Sequence, residues 1–184
     1  MTTTDTTALP LAPGLWALDT NHANVAFAVR HLGVAKVRGR FTDFEVDVTI
    51  GETLAQSSVS ATINIPSLDT ANADRDAHVL SEDILDAVKR PTIEFRSTSI
   101  AGDGDEWTVV GDATIGGISK PLALKVELGG VQEFPGGGPR HAGFEATGEL
   151  RRSDYGIAPN LPSAMLGDVI KFELDLELLE PEAS

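Results

Sequence analysis

Cysteine is absent from the 184 residues. That removes disulfides, thiolate nucleophiles and cysteine-based zinc or iron–sulfur sites together. Positive charge is scarce: 14 Lys and Arg stand against 28 Asp and Glu, for a formal net charge of −14. A surface of that sign repels phosphate backbones, and no basic stripe with interleaved aromatics relieves it, so nucleic acid is excluded as a partner. Charge-driven docking to an anionic membrane is excluded for the same reason. No stretch approaches the roughly 18 apolar residues of a membrane-spanning helix, so no integral membrane segment is expected. The opening "MTTTDTTALPLAPG" has no positive stretch, carries Asp5 and offers no long apolar run. It reads as a disordered polar lead over residues 1–13 rather than a signal peptide, and a cytoplasmic protein is expected. The glycine-rich "GGVQEFPGGGPRHAG" (residues 129–143) is followed by no Gly-Lys-Ser/Thr. It therefore reads as a hairpin loop and not as a phosphate cradle.

What remains is a chain with 41% hydrophobic and 23% charged residues, enough to bury one core, here assigned to a single domain over 14–184. Its dominant signal is alternation. Val25, Phe27 and Val29 share one parity; so do Phe44, Val46, Val48 and Ile50, then Val59, Ala61, Ile63 and Ile65. Similar runs surround Ile93 and Phe95, Trp107 and Val109, Leu122 to Leu128, Phe144 to Leu150, and Ile170 to Leu178. A side-chain period of two marks strands with one dry and one wet face. About eight such runs make an antiparallel sandwich or barrel.

One segment breaks the period, "SLDTANADRDAHVLSEDILDAVKRP" (67–91). Ser81 reads as an N-cap, Glu82 and Asp83 as first-turn anions, Lys89 and Arg90 as last-turn cations, and Pro91 as the stop. Ile84, Leu85 and Val88 supply an apolar face, which predicts one or two short helices inserted between strands.

Four histidines are the remaining candidates for chemistry. In "WALDTNHANVAFAVRH", nine steps of extended chain would hold His22 and His31 about 30 Å apart. His78 and His141 lie elsewhere, with no HxH or HExxH spacing, so no metal site is expected. Asp19 and His22, at i,i+3 in the turn-like "DTNH", could hydrogen-bond and serve a small barrel hydrolase or isomerase. No nucleophile accompanies them, and no catalytic residue is assigned.

An eight-stranded closed sheet encloses a space that side chains fill or that holds one small ligand. Strands of about ten residues tilted by about 40° would stand roughly 25 Å tall, suited to an elongated guest. Periodicity leaves a filled and a hollow interior equally open.

Four blocks bear on the choice. "WALDTNHANVAFAVRHLGVAKVRGRF", "ANADRDAHVLSEDILDAVKRPTIEFRS", "GDATIGGISKPLALKVEL" and "ATGELRRSDYGI" span about residues 15–180 in order. They resemble the Trp…Asp…His…Phe opening, the Arg-Asp-x-His block, the Lys-Pro hairpin and the Arg-x-Asp-Phe-Gly-Ile signature of YceI-like proteins. Val79, Ala113, Ser119 and Tyr155 depart mildly from that pattern. The resemblance implies an all-β fold: an elongated eight-stranded antiparallel lipocalin-like barrel with a short helical insert. It further implies non-catalytic binding of a polyisoprenoid or other long-chain amphiphilic lipid in the lumen, no cofactor beyond that lipid, and often a homodimer.

A lipid tail needs an apolar tube, each buried methylene contributing about 0.8 kcal/mol. On inward parity, Val25, Phe27, Val29, Phe44, Val46, Val48, Ile63, Leu124, Val126, Phe144 and Phe172 are the expected lining. Each could equally be ordinary core. Arg152 and Asp154 in "RRSDYGI" are expected to pair and close the sheet. A stress-related interaction protein with a dry core is the other alternative to a lipid carrier.

Overall fold

The computed structural model describes residues 9–183. In chain order the strands are β1 (Gly14–His31), β2 (Ala35–Phe41), β3 (Phe44–Ile50), β4 (Ser58–Asn64), β5 (Leu68–Asp69), β6 (Thr92–Asp103), β7 (Glu106–Ile115), β8 (Ile118–Glu133), β9 (Arg140–Arg151) and β10 (Leu166–Leu179). A single α-helix, α1 (Ala73–Leu80), lies between β5 and β6. Every alternating run falls in a strand save for Ile65, which opens a 3-10 turn, and these strands pair antiparallel in the order β10-β9-β8-β7-β6-β4-β3-β1. Pairing of β1 with β10 closes the ring at eight strands, so the sheet is a barrel and not a sandwich.

The 18 residues of β1 outrun any single neighbour. Its start pairs with β3 (Trp16 opposite Val48) and its end with β2 (Phe27 opposite Gly39), which doubles back beside it. β2 and the two-residue β5 carry too little alternation to be read from sequence. Between β7 and β8 the two-residue turn Gly116–Gly117 has φ of +58° and +78°, with Ile115 opposite Ile118. Positive φ at both central positions is the hairpin geometry that matches strand twist, and glycine reaches it without a Cβ clash.

The helix lies upstream of its expected place. Asn72, not Ser81, is the N-cap, accepting the Arg75 N–H, with Asp74 and Asp76 in the first turn. Ser81 is the C-cap, its hydroxyl donating to the His78 carbonyl. Residues 81–90 form successive turns because tertiary bonds outcompete the helix. The Ala158 N–H donates to the Ile84 carbonyl, the Ile65 N–H to that of Pro91, and Asp86 takes a left-handed φ of +50°. Ile84 and Leu85 pack on the core, but Val88 is almost fully exposed and belongs to no apolar face.

Two apolar clusters hold the barrel. One surrounds Val25, Ile63, Phe95, Leu150, Tyr155 and Phe172. The other, at the opposite end, joins Trp16, Ile50, Trp107, Leu128 and Leu178 to Leu11. Leu11 is buried, and the Trp16 indole N–H donates to the Ala12 carbonyl at 2.9 Å, so this part of the lead packs on the barrel. Residues 1–8, the rest of that lead, lie outside the described residues.

Candidate functional site

On the inward parity of β8 and β10, Leu122, Leu124, Val126, Leu174 and Leu176 are only partly buried. Inward apolar side chains that still meet solvent-sized space mean the barrel is hollow. Two chambers lie along its axis. The upper, about 140 Å³, runs below the tryptophan cluster, and its only polar lining residues are Thr49, Ser57 and Ser58. The lower, about 290 Å³, extends toward α1. For scale, an apolar cavity of about 150 Å³ stays dry and takes up benzene.

Of the expected lining residues, Val25, Val46, Val48, Ile63, Leu124, Val126 and Phe144 face the upper chamber, Phe27 and Val29 the lower. Phe172 lines both, as do Ile93 and Leu150, so these three form a waist where the two spaces adjoin. Phe44 lines neither chamber and packs against the core instead. Glycines on neighbouring strands make room for the bulkier lining groups. A Cβ on Gly39 would come within 2.4 Å of the Phe27 ring, and one on Gly148 within 2.6 Å of Leu124. Strand lengths scatter about the ten residues expected: β3 and β4 have 7, and β10 has 14. At the tilt usual for closed sheets it spans about 35 Å of axis.

The lower chamber ends in a polar mouth that alternation does not reveal. His31, Thr70, Arg75 and His78 line it, three of them from the α1 region. Arg75 is held in place by Nε donating to the Thr70 hydroxyl (2.8 Å) and Nη2 donating to the Thr70 carbonyl (2.7 Å). In sequence, "RDAHVL" marks two of the four, Arg75 and His78, through its Arg-Asp-x-His pattern.

Arg152 also lines this chamber, but it does not pair with Asp154, which is exposed. Its guanidinium is buried and donates to five carbonyls: Ile157, Ala158, Leu161, Leu166 and Gly167, at 2.7–3.2 Å. A fork of five donors satisfies an irregular segment that has no ladder partners of its own. The neighbouring Tyr155 is fully buried, its hydroxyl donating to the Ala113 carbonyl at 3.1 Å, and burial raises its pKa.

Asp19 and His22 do meet, Nδ1 to Oδ2, at 2.9 Å. They lie outside the lumen, on a bulge in β1 where the ladder with β10 skips from Leu18 to Ala23. The bulge lies before the run from His22 to His31, which is extended as expected: Ala23–Val29 pair with Leu176–Ile170 in unbroken register. His31 faces the lower mouth, while the His22 side chain is 64% exposed at the outer wall.

The YceI-like domain model matches residues 16–178. The chain belongs to the YceI-like family. It is 42% identical to Protein YceI of Escherichia coli O157:H7 over 151 residues, 81% of this chain and 78% of that one. A UPF0312 protein of Pseudomonas aeruginosa is 40% identical over 78% of this chain and 75% of its own. Among solved structures, the YCEI protein of Campylobacter jejuni is 30% identical with a TM-score of 0.74, covering 83% of this chain and 90% of that one. A polyisoprenoid binding domain from Saccharophagus degradans shares the fold at 12% identity, with a TM-score of 0.64 and coverage of 92% and 100%. Among the described residues of this YceI-like chain, no helix is long and apolar enough to cross a membrane.

Proposed function

We propose that the protein binds and carries one long-chain amphiphile, of the polyisoprenoid class, without catalysing its conversion. The observation that carries this reading is the pair of apolar chambers that adjoin at Phe172, Ile93 and Leu150. An apolar tube with polar groups at one mouth fits a guest with a long tail and a single polar head. The tail threads the waist into the upper chamber, and the head lies by Arg75, His31 and His78. The name of the polyisoprenoid-binding structural relative supports the ligand class. A hollow interior disfavours the dry-core alternative. The outer position of Asp19 and His22, away from any cavity wall, disfavours a barrel enzyme using them.

Organic extraction of the purified protein followed by mass spectrometry tests the proposal. A long-chain amphiphile near one per chain is expected. Absence of any such lipid, together with no saturable uptake of an added polyprenyl phosphate, would refute it.

A further inference from the structure

At the seam that closes the barrel, four residues of β1, Asp19–His22, face a single residue of β10, Glu177. A bulge of this size gives up ladder hydrogen bonds and re-aims side chains, and such irregularities gather at functional positions. Here it is locked by the Asp19 carboxylate, which accepts the Asn21 N–H at 3.0 Å and meets His22 at 2.9 Å. Asp19 is thereby brought against two residues far away in sequence. On β9, His141 is opposite Leu179, while Glu177 is opposite Gly143, which makes His141 and Glu177 diagonal neighbours on the outer face. The His141 Nδ1 lies 2.5 Å from the Glu177 carboxylate, and one donor atom from each of Asp19, His141 and Glu177 falls within 4.8 Å of the others.

From this juxtaposition we infer a binding site for one divalent transition-metal ion, with Asp19, His141 and Glu177 as ligands from three strands. The surroundings suit an ion better than a plain ion-pair cluster. Among the described residues no Lys or Arg forms an ion pair with Asp19 or Glu177; the adjacent Arg140 is engaged by Glu180 instead. Two carboxylates thus share their face with imidazoles alone, leaving negative charge for a cation to neutralise. Gly143, opposite Glu177, leaves open space where a side chain would stand. Phe134 stacks on the His141 ring at 5.5 Å and restricts its orientation. All three ligands are partly buried, accessible yet not freely rotating.

The donor set selects the ion. Imidazole with two carboxylates suits zinc, cobalt or nickel, whereas calcium and magnesium favour all-oxygen sites. Bonds of about 2.0–2.2 Å would set the donors about 3.3 Å apart, so His141 and Glu177 open slightly as the ion replaces their hydrogen bond while Asp19 closes on them, shifts of about an ångström that surface side chains can make. His22, hydrogen-bonded to Asp19, is a positioning residue that holds the carboxylate from the solvent side. A bound ion would tie β1, β9 and β10 together where the bulge interrupts the closing ladder.

The test is calorimetric titration of chelator-treated full-length protein with zinc sulfate, repeated with nickel, alongside thermal unfolding. One saturable equivalent and a raised unfolding midpoint are expected. His141→Gln and Glu177→Gln should each weaken binding by about tenfold or more. Asp19→Asn, which can keep the turn to Asn21 while losing the charge, should do the same with the metal-free midpoint unchanged. Asp83→Asn, at the exposed pair with His78, should leave affinity as in the parent, and millimolar calcium should not compete. No saturable zinc or nickel binding by the parent would overturn the site. So would parental affinity in the His141→Gln/Glu177→Gln double variant, or loss of binding in Asp83→Asn.

Discussion

The upper chamber is walled mostly by strands, where each lining residue follows from its neighbours at i±2, with Leu9, Leu54 and Ser57 added from outside the ladder. The lower chamber is walled partly by strand ends and partly by α1, the turns of 81–90 and the irregular segment 156–165. There the backbone lacks a ladder, and Arg152 supplies the missing donors. Similar apolar linings therefore rest on different physics. One end is local periodicity repeated around a ring; the other is a single buried cation organising carbonyls from a long loop. The first should resist everything but a polar intrusion, the second should fail when one residue is lost.

The sharpest break is a charge in the upper wall. Val46 is buried, and Val46→Asp places a carboxylate among aliphatic groups, costing about 4 kcal/mol at neutral pH. Phe27→Asp, in the lower chamber nearer the mouth, should cost visibly less because water can reach it. Urea unfolding gives both values, and Ala28→Lys and Glu45→Lys on the outer parity are the controls. Equal costs at the two sites would erase the distinction between the chambers.

Next in size, Arg152→Met keeps the stem but strips five carbonyls of their donor, costing about 3 kcal/mol. Lipid uptake should fall with it, since the lower wall is what the guanidinium holds in place. Arg152→Lys should recover only part of the loss, having fewer donors in the wrong geometry. Tyr155→Phe, which removes one hydrogen bond to the Ala113 carbonyl, should cost about 1 kcal/mol and leave uptake intact.

The smallest effect concerns acid. The hydroxyl of Ser153, assisted by its N–H and by Arg151, holds Asp168 below its ordinary value of 3.8. A depressed carboxylate pKa contributes stability that is complete above that ordinary value and fades as pH falls through the folded one. Asp168→Asn should therefore lose a little stability at neutrality, flatten the acid limb below about pH 4, and converge with the parent in acid. Urea midpoints at the two pH values measure it. At the tryptophan end the Arg140 side chain likewise holds Glu180 below its ordinary value, so a matching limb is expected there.

Strand number and facing were legible because a period of two is a local property. Val46 in and Glu45 out follows from pleat geometry whatever the rest of the chain does. Ten of the expected lining residues face a chamber for that reason. Phe44 shares their parity but stands at the end of β3, where it packs on the core. The helix was misplaced because Ser81 with Glu82 and Asp83 makes as good a capping signal as Asn72 with Asp74 and Asp76. The choice between them fell to hydrogen bonds from Ala158 and Ile65, far outside the local window. Arg152 was paired with the nearest acid in sequence, though its partners are carbonyls five to fifteen residues on.

The sequence by itself determined the class of fold, the parity of its walls and, through four blocks, the family. Each of those depends on near neighbours or on short motifs. Tertiary structure alone decided that the interior is hollow, that it narrows at Phe172, and that Asp19, His141 and Glu177 meet across the seam. Those facts depend on register accumulated around eight strands and on one bulge, Asp19–His22, whose extra length shows only against its partner strand.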